Sequence, residues 1–553
     1  MKFLIALLFI VTISTQVKSA TWFVRNGGST TTNCTGLADA DYDGSGTGEA
    51  CAYSNLQNAL NNSAGGDIII LKAGQTFVGS FSLPNKAGSS YITVKSSLAD
   101  SLPLNNRVFP TDVAKMATIR TNVPNGEAIF TQSAAHHFRF HGLEITLTSG
   151  VSAEAGMRFG SNPKETSLSQ ITHDFEIDRC YIHGLPTGDS HQGIVANAEH
   201  MTIKNNYISD WHWVGVEAQA ILIFTSPGDI TIFNNTIIAA GENILVGGAD
   251  PGITNLVPTG IIIKQNHIFK PLSWKVSDPS YAGFHWTVKN SLELKNAKNV
   301  TIEANIIENC WLDAQVGIPV LFTIRNQENT APWSAVENVT FKNNWVKNTA
   351  GGINFLGWDN EGAPGQRGTT ALISNNLFTT IGPEPWVEIN GFYNVTIDHN
   401  THFQTNSNLL FYNENSTGFV WKNDMTIYHD YGIVGFDSGG NSIFGTPVFA
   451  VNAPGSIYSN NVIVGAAQSG FTYSTANNNS YPIDTATVKF VDFANGNYQL
   501  QSSSPYHNAA TDGTDIGYNK SVLDAALLHT IDGLGGGVGS VTQCNWNTNP
   551  ACN

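Results

Sequence analysis

The middle of the chain repeats one phrase: apolar, any residue, apolar, two polar residues, then Asn. It reads MTIKNNYI (201–208), ITIFNNTI (230–237), IIIKQNHI (261–268), VTIEANII (300–307), VTFKNNWV (339–346), LISNNLF (372–378), VTIDHNTH (395–402) and IYSNNVIV (457–464). The closing residues are Asn206, Asn235, Asn266, Asn305, Asn344, Asn376, Asn400 and Asn461, with Asp424 in a variant, VWKND. Alternation at period two predicts strands with one buried face. A repeat of 24 to 39 residues with insertions of variable length predicts a solenoid. Asn tolerates the left-handed backbone of a sharp turn, and its amide can bond the equivalent Asn one coil away. Cys180, in FEIDRCYI, takes the Asn position of an earlier coil, and FRFHGLEI (138–145) reads as one earlier still.

A second strand precedes each phrase: GIVANA (193–198), QAILIFT (219–225), ENILVGG (242–248), SLELKN (291–296), IPVLFTIR (318–325), GINFLGW (352–358), WVEINGF (386–392) and LLFYN (409–413). Over 67–520 the pattern resembles the right-handed parallel β-helix of the pectate-lyase-like superfamily. That resemblance implies an all-β chain with three strands per coil, about eleven or twelve coils, and a sugar-binding face on the strands that precede the phrase. Before it, residues 20–66 read as an N-terminal cap. There YSNLQNALNNSAGG places Leu56, Ala59 and Leu60 one turn apart, as in a short amphipathic helix over the open end of the stack. Residues 521–553 form a C-terminal tail.

Residues 1–19 read as a secretory signal: Lys2, the apolar run Phe3–Ile13, and a small-residue exit at Val17 and Ser19. The run is too short to span a bilayer, so the mature chain is expected to be exported (extracellular or periplasmic), soluble and monomeric. Charged residues make up only 13% and Gly numbers 53, which favours Gly- and Asn-turned strands over charge-patterned helices. The net charge of −16 falls to −18 once Lys2 and Lys18 leave, which argues against general nucleic-acid binding. Cys34/Cys51 and Cys544/Cys552 are close pairs suited to disulfides in an exported chain, and Cys180 and Cys310 read as buried thiols.

On the strands that precede the phrase, alternation points Asn243, Glu293, Lys295, Thr323, Arg325, Asn354, Glu388 and Asn390 outward. Charges are scarce in this chain, so their gathering on a few coils marks a binding face. Trp213, Trp311, Trp333 and Trp358 flank it as candidate sugar platforms. A Lys beside an Arg suits β-elimination on a uronate polysaccharide, which needs a base able to be neutral and positive charge for the developing dianion. ELKNAKNVTIEANIIEN followed by FTIRNQ resembles the alginate lyase and chondroitinase B family. Carried over, the resemblance makes Lys295 the base and Arg325 the acid or charge partner, with Asn243 and Glu293 as ligands of Ca²⁺. The spacing departs from that family, because Lys295 follows Glu293 after one residue and 308–318 is an insertion.

The rival readings are a non-catalytic β-helix that binds a glycan or a cell surface, and a hydrolase or epimerase on the same groove. The hydrolase lacks a neighbouring carboxylate pair on this face. HHFRFH (136–141) reads as partly exposed packing rather than as a metal cluster. Asp189-Ser190-His191 reads as a loop without a catalytic triad.

Overall fold

The computed structural model describes residues 19–534 except 162, 163 and 363. The signal-peptide core and the Cys544/Cys552 pair lie outside the described residues. The chain winds into a right-handed parallel β-helix of three long sheets. Sheet I has 14 strands, from Thr21–Ser29 to Ile457–Ser459, and includes the strand that opens each Asn phrase. Sheet II has 13 strands, from Thr76–Val78 to Val462–Val464, and follows the Asn. Sheet III has 13 strands, from Phe81–Leu83 to Ser442–Phe444, and holds the strands that precede each phrase. Every pairing within these sheets is parallel except the last, where Ile433–Phe436 meets Ser442–Phe444. Among the described residues no helix is long and apolar enough to cross a membrane.

The buried row of each sheet builds the core. In sheet III, Val246, Leu294, Phe322, Phe355 and Ile389 stand in register across five coils, all fully buried. The turn between sheets I and II divides its work between two residues. The residue before the Asn takes the left-handed conformation, whatever its type: Asn234, Gln265, Ala304 and His399 have φ of 53° to 59°. The Asn itself is fully buried and bonds along the stack. The backbone N–H of Asn235 donates to Asn266 Oδ1 (2.9 Å), Asn266 to Asn305 (2.9 Å), Asn305 to Asn344 (2.9 Å) and Asn344 to Asn376 (2.8 Å). Each side-chain amide also donates to a backbone carbonyl, as Asn305 Nδ2 does to Ile263 (2.9 Å). Buried turn donors and acceptors thereby find partners without water. Asp424 continues the row between Asn400 and Asn461.

Helix Leu56–Asn62 buries Leu56, Ala59 and Leu60 against the first strands of the stack, and its N-cap is Asn55, whose side chain accepts from Gln57 N–H (2.8 Å). Cys34 and Cys51 are bonded, and Cys180 and Cys310 are free and buried. At the other end the chain returns along the outside of sheet II. Helix Lys520–Leu527 packs Leu523 and Leu527 on Ile306 and Leu377. Arg107, itself buried, donates to the Thr530 and Asn234 carbonyls, so the return is pinned to mid-stack coils.

Candidate active-site groove

Sheet III carries a groove of about 530 Å³ on its outer face. Strand Ala153–Phe159 contributes Glu154 and Arg158, and strand Ser190–Ala196 contributes His191 and Gln192. Gln219, Leu222 and Leu245 form the floor of the next coils, and Lys295 closes the far end. The space around Lys295 depends on Gly247 (φ 99°): a Cβ there would lie 2.7 Å from Lys295 Cβ. Gly247 and Gly248 end strand Ile244–Val246 in a conformation that side chains disfavour, and so leave that room.

The groove's charges are organised in two groups. At one end Arg158 Nε donates to Glu127 (2.8 Å), and its Nη2 lies 3.4 Å from Glu154. His191 Nδ1 faces Glu154 at 3.2 Å, and that hydrogen bond lowers the Glu154 carboxyl against the cost of burial. At the other end Lys295 Nζ is 3.9 Å from Glu293, with its side chain 14% exposed. Glu293 is buried, accepting from Thr323 Oγ1 (2.9 Å) and Asn290 Nδ2 (3.0 Å), and burial raises its carboxyl. Under the floor lies a further ion pair, Lys289 with the fully buried Glu242 (3.0 Å). Gln219 Nε2 donates to Glu242 (2.9 Å), and Lys289 also reaches Glu217 (2.5 Å) at the groove wall. Burial opposes ionisation of Glu242, but Lys289 outweighs it and holds the carboxyl low.

The residues expected from the sequence divide between this groove and other places. Lys295 lines the groove. Arg325 sits on the next coil, its N–H donating to the Lys295 carbonyl (3.0 Å). Its guanidinium, however, turns to Asp359 (2.7 Å), Asn360 (3.0 Å) and Glu361 (3.4 Å), and Arg325 is not among the groove's lining residues. Asn354 and Asn390 both donate to Glu388, at 2.7 and 3.1 Å, and form a separate polar cluster further along the face. Thr323 is buried and spends its hydroxyl on Glu293.

Asn243 corrects its outward reading. It is fully buried, donates to the Ile237 and Phe269 carbonyls (2.8 and 2.9 Å), and accepts from Lys270 Nζ at 3.0 Å. An oxygen already facing an ammonium is a poor calcium ligand, and Ca²⁺ takes about 6–8 oxygens. Asn243 and Glu293 therefore do not fit a calcium site.

No known protein family matches the chain, and no curated protein does. Solved structures similar to it include an alginate lyase from Paenibacillus sp. str. FPU-7, at 17% identity over 59% of this chain and 93% of that one, with a TM-score of 0.39. Pectate lyase Pel9A is 12% identical over 91% of this chain and 98% of its own, with a TM-score of 0.36. The A-module of the mannuronan C-5 epimerase AlgE4 from Azotobacter vinelandii is 12% identical over 68% of this chain and 89% of its own, with a TM-score of 0.32.

The four expected Trp platforms are all half-buried, and none lines the groove. Trp213 meets His191 edge-on at 5.9 Å, Trp333 donates to the Leu256 carbonyl (3.0 Å), and Trp358 donates to Glu414 (2.6 Å). Trp311 packs beside the buried Trp274 and Trp286. Sequence reading missed Glu154 and Arg158, and it placed Ser190 and His191 in a loop, whereas they open strand Ser190–Ala196. The first two sit on AEAGMRF (153–159), a strand of the same class that precedes the Cys180 phrase and could have been found by extending the repeat one coil back. Nothing local marks Lys289 or Glu242, which meet only through the 270–291 insertion.

Proposed function

We propose that this chain is a polysaccharide-active enzyme that cleaves an acidic, uronate-containing glycan by β-elimination, with the glycan lying along sheet III. The observation that carries the reading is charge placement. In a protein of net charge −16 whose charged residues are scarce, one groove gathers Arg158, Lys164, Lys295 and His191, each beside a carboxylate: Glu127 and Glu154, Glu328, Glu293, and Glu154 again. A polyanion approaching an acidic protein needs such a local field.

Lys295 is the proton acceptor in this reading. It takes the proton from the carbon next to the carboxylate, the electron pair forms the ring double bond, and the glycosidic C–O bond breaks. The departing oxygen takes up a proton from the lysine or from water. Glu293, 3.9 Å from Lys295 Nζ, supports the assignment by holding the amine at the end of the groove, and burial raises its carboxyl. Arg158, held by Glu127 and Glu154, lends positive charge at the opposite end of the groove. Arg325, fixed on Asp359, sets the backbone that carries Lys295. The disulfide and the expected signal segment fit export to where such glycans occur.

The test is a panel of acidic polysaccharides followed by the ultraviolet absorbance of the unsaturated uronate product, for the parent and for Lys295→Ala. Product from the parent and none from the variant supports the reading. Binding without cleavage by the parent would make the chain a glycan-binding β-helix. Reducing ends without the absorbance would make it a hydrolase.

A further inference from the structure

Sheet I carries a second constellation, away from the groove, that neither the fold nor the proposed activity uses. Strand His136–His141 lies in register with strand Thr172–Asp178, His136 beside His173. On the next coils the register sets His200 beside Asp174 and Asp229 beside His200. Four of the chain's 15 histidines thus gather over three coils around one carboxylate. His173 Nδ1 is 2.7 Å from Asp174 Oδ2, His137 Nε2 is 3.6 Å from the same oxygen, and His200 Nδ1 is 3.9 Å from Oδ1. One donor atom from each of His137, His173 and Asp174 lies within 4.8 Å of the other two.

Three features separate this cluster from ordinary surface packing. First, among the described residues Asp174 is paired with imidazoles alone and with no Lys or Arg. A neighbouring group, His141, Glu176 and Asp178, is neutralised internally: Lys204 sits 3.2 Å from Glu176, and Arg179 sits 2.9 Å from Asp178. Second, the backbone does not select histidine. His137, Asp174, His200 and Asp229 occupy one left-handed position, φ 53° to 61°, repeated on successive coils. The equivalent residues further along are Gly260, Asn299, Asn338, Thr370 and Asn394, so other residue types meet the conformational demand. Metal-binding side chains replace them on four consecutive coils. Third, the second histidine layer is arranged to orient the first. His136 Nδ1 contacts His137 Nδ1 at 2.7 Å, leaving His137 Nε2 toward Asp174, and the His136 and His173 rings stack at 4.7 Å.

We propose that His137, His173 and Asp174 form a binding site for a divalent transition-metal ion of the zinc class, with His200 at its open side. Two imidazoles and a carboxylate are a borderline donor set that suits zinc, nickel or copper and not calcium or magnesium. Coils stack at about 4.8 Å, so in-register side chains need only tilt together to meet one ion. The ion takes the place of the proton between His173 Nδ1 and Asp174 Oδ2.

The experiment uses the full chain without an affinity tag, stripped of metal, and titrated with Zn²⁺ and separately with Ca²⁺ by calorimetry. One saturable zinc site is expected, with no calcium site at the same concentrations. Loss of even an outer-shell partner typically costs about 10–100-fold in metal affinity, so His137→Gln and Asp174→Asn should each weaken zinc by at least that. His141→Gln, in the neutralised neighbour, should leave it unchanged. Circular dichroism melting establishes that each variant is folded. Should one fail to fold, zinc-edge X-ray absorption of the parent replaces it, with two imidazole ligands expected. No saturable zinc binding, equal binding by His137→Gln and Asp174→Asn, or an equal loss in His141→Gln overturns the site.

Discussion

The Asn row between sheets I and II and the outer face of sheet III are built on the same coils, yet they follow opposite rules. In the row, Asn266, Asn305 and Asn344 each make the same three kinds of contact: to the coil below, to the coil above and to a backbone carbonyl. On the face, Leu245, Glu293, Leu321, Asn354 and Glu388 stand in one register row and no two neighbours are alike. Repetition carries the fold because every coil poses the same problem of satisfying buried turn groups. Chemistry sits where repetition stops, since a groove has to bring unlike groups to one place.

The largest expected effect tests the face. Lys295→Ala should reduce turnover on a cleaved glycan by about 10²–10⁴-fold, the usual span for a general base. Its melting temperature should fall far less than that of Asn305→Ala, because Glu293 keeps Thr323 and Asn290 as partners and no Asn-row contact depends on Lys295. A large loss of stability with unchanged turnover would reverse the roles assigned to the two regions.

Asn305→Ala tests the row. It leaves Asn266 N–H and the Ile263 carbonyl without the Asn305 side chain, while Asn344 Oδ1 keeps the backbone N–H of residue 305. At about 1–3 kcal/mol for each buried group left unsatisfied, a loss of several kcal/mol is expected in denaturant unfolding. Activity per folded molecule should be unchanged. A variant as stable as the parent would mean that water or a shifted coil takes over these bonds.

This division also decides what could be read in advance. The strands, the coil order and the Asn positions were legible because each recurs and can be aligned against itself. Alternation put Glu293 and Lys295 on the outer face, where Lys295 lines the groove but Glu293 is buried and does not. Asn243 was misread on that same rule: it lies just before strand Ile244–Val246, where the chain is still turning, and Lys270 from an insertion claims it. Arg325 was placed on the right coil, but its guanidinium follows Asp359, a loop residue whose position no periodicity encodes. Lys270 itself, wholly buried among the Ala239, Ala240 and Gly241 carbonyls and Asn243, has no sequence mark at all.

The insertion-built region should also answer to pH. His212 is buried, stacked on Trp286 at 3.7 Å, and burial lowers its pKa from 6.5 to about 4. The unfolded chain therefore binds the extra proton between those values. The stabilisation is complete above pH 6.5 and is lost as pH falls through about 4, a change of about 3 kcal/mol at about 1.4 kcal/mol per pH unit. His212→Phe should flatten that part of the stability–pH curve. Glu308, held near 2 against its burial by His267 and Lys347, supplies a further loss at lower pH, which the variant should retain. An unchanged slope in His212→Phe would assign the acid sensitivity to the carboxylates alone.

The smallest effect concerns the one place where the row departs from Asn. Asp424 accepts from Asn400 N–H through Oδ1 (2.6 Å) and from the Trp421 indole N–H through Oδ2 (2.9 Å). An Asn has one acceptor oxygen, so its NH₂ would face the indole N–H, donor against donor. The carboxyl is required by Trp421, a fully buried ring, and not by the turn. Its proton affinity is raised by burial, which is the cost of meeting two donors from one side chain. Asp424→Asn should therefore destabilise the protein by itself and lose much of that effect when Trp421→Phe removes the second donor. A double-mutant cycle should show coupling within the range of about 0.5–3 kcal/mol found for residues in direct contact. Additive single effects would mean that Asp424 answers to the row after all, and that Trp421 is not the reason for the exception.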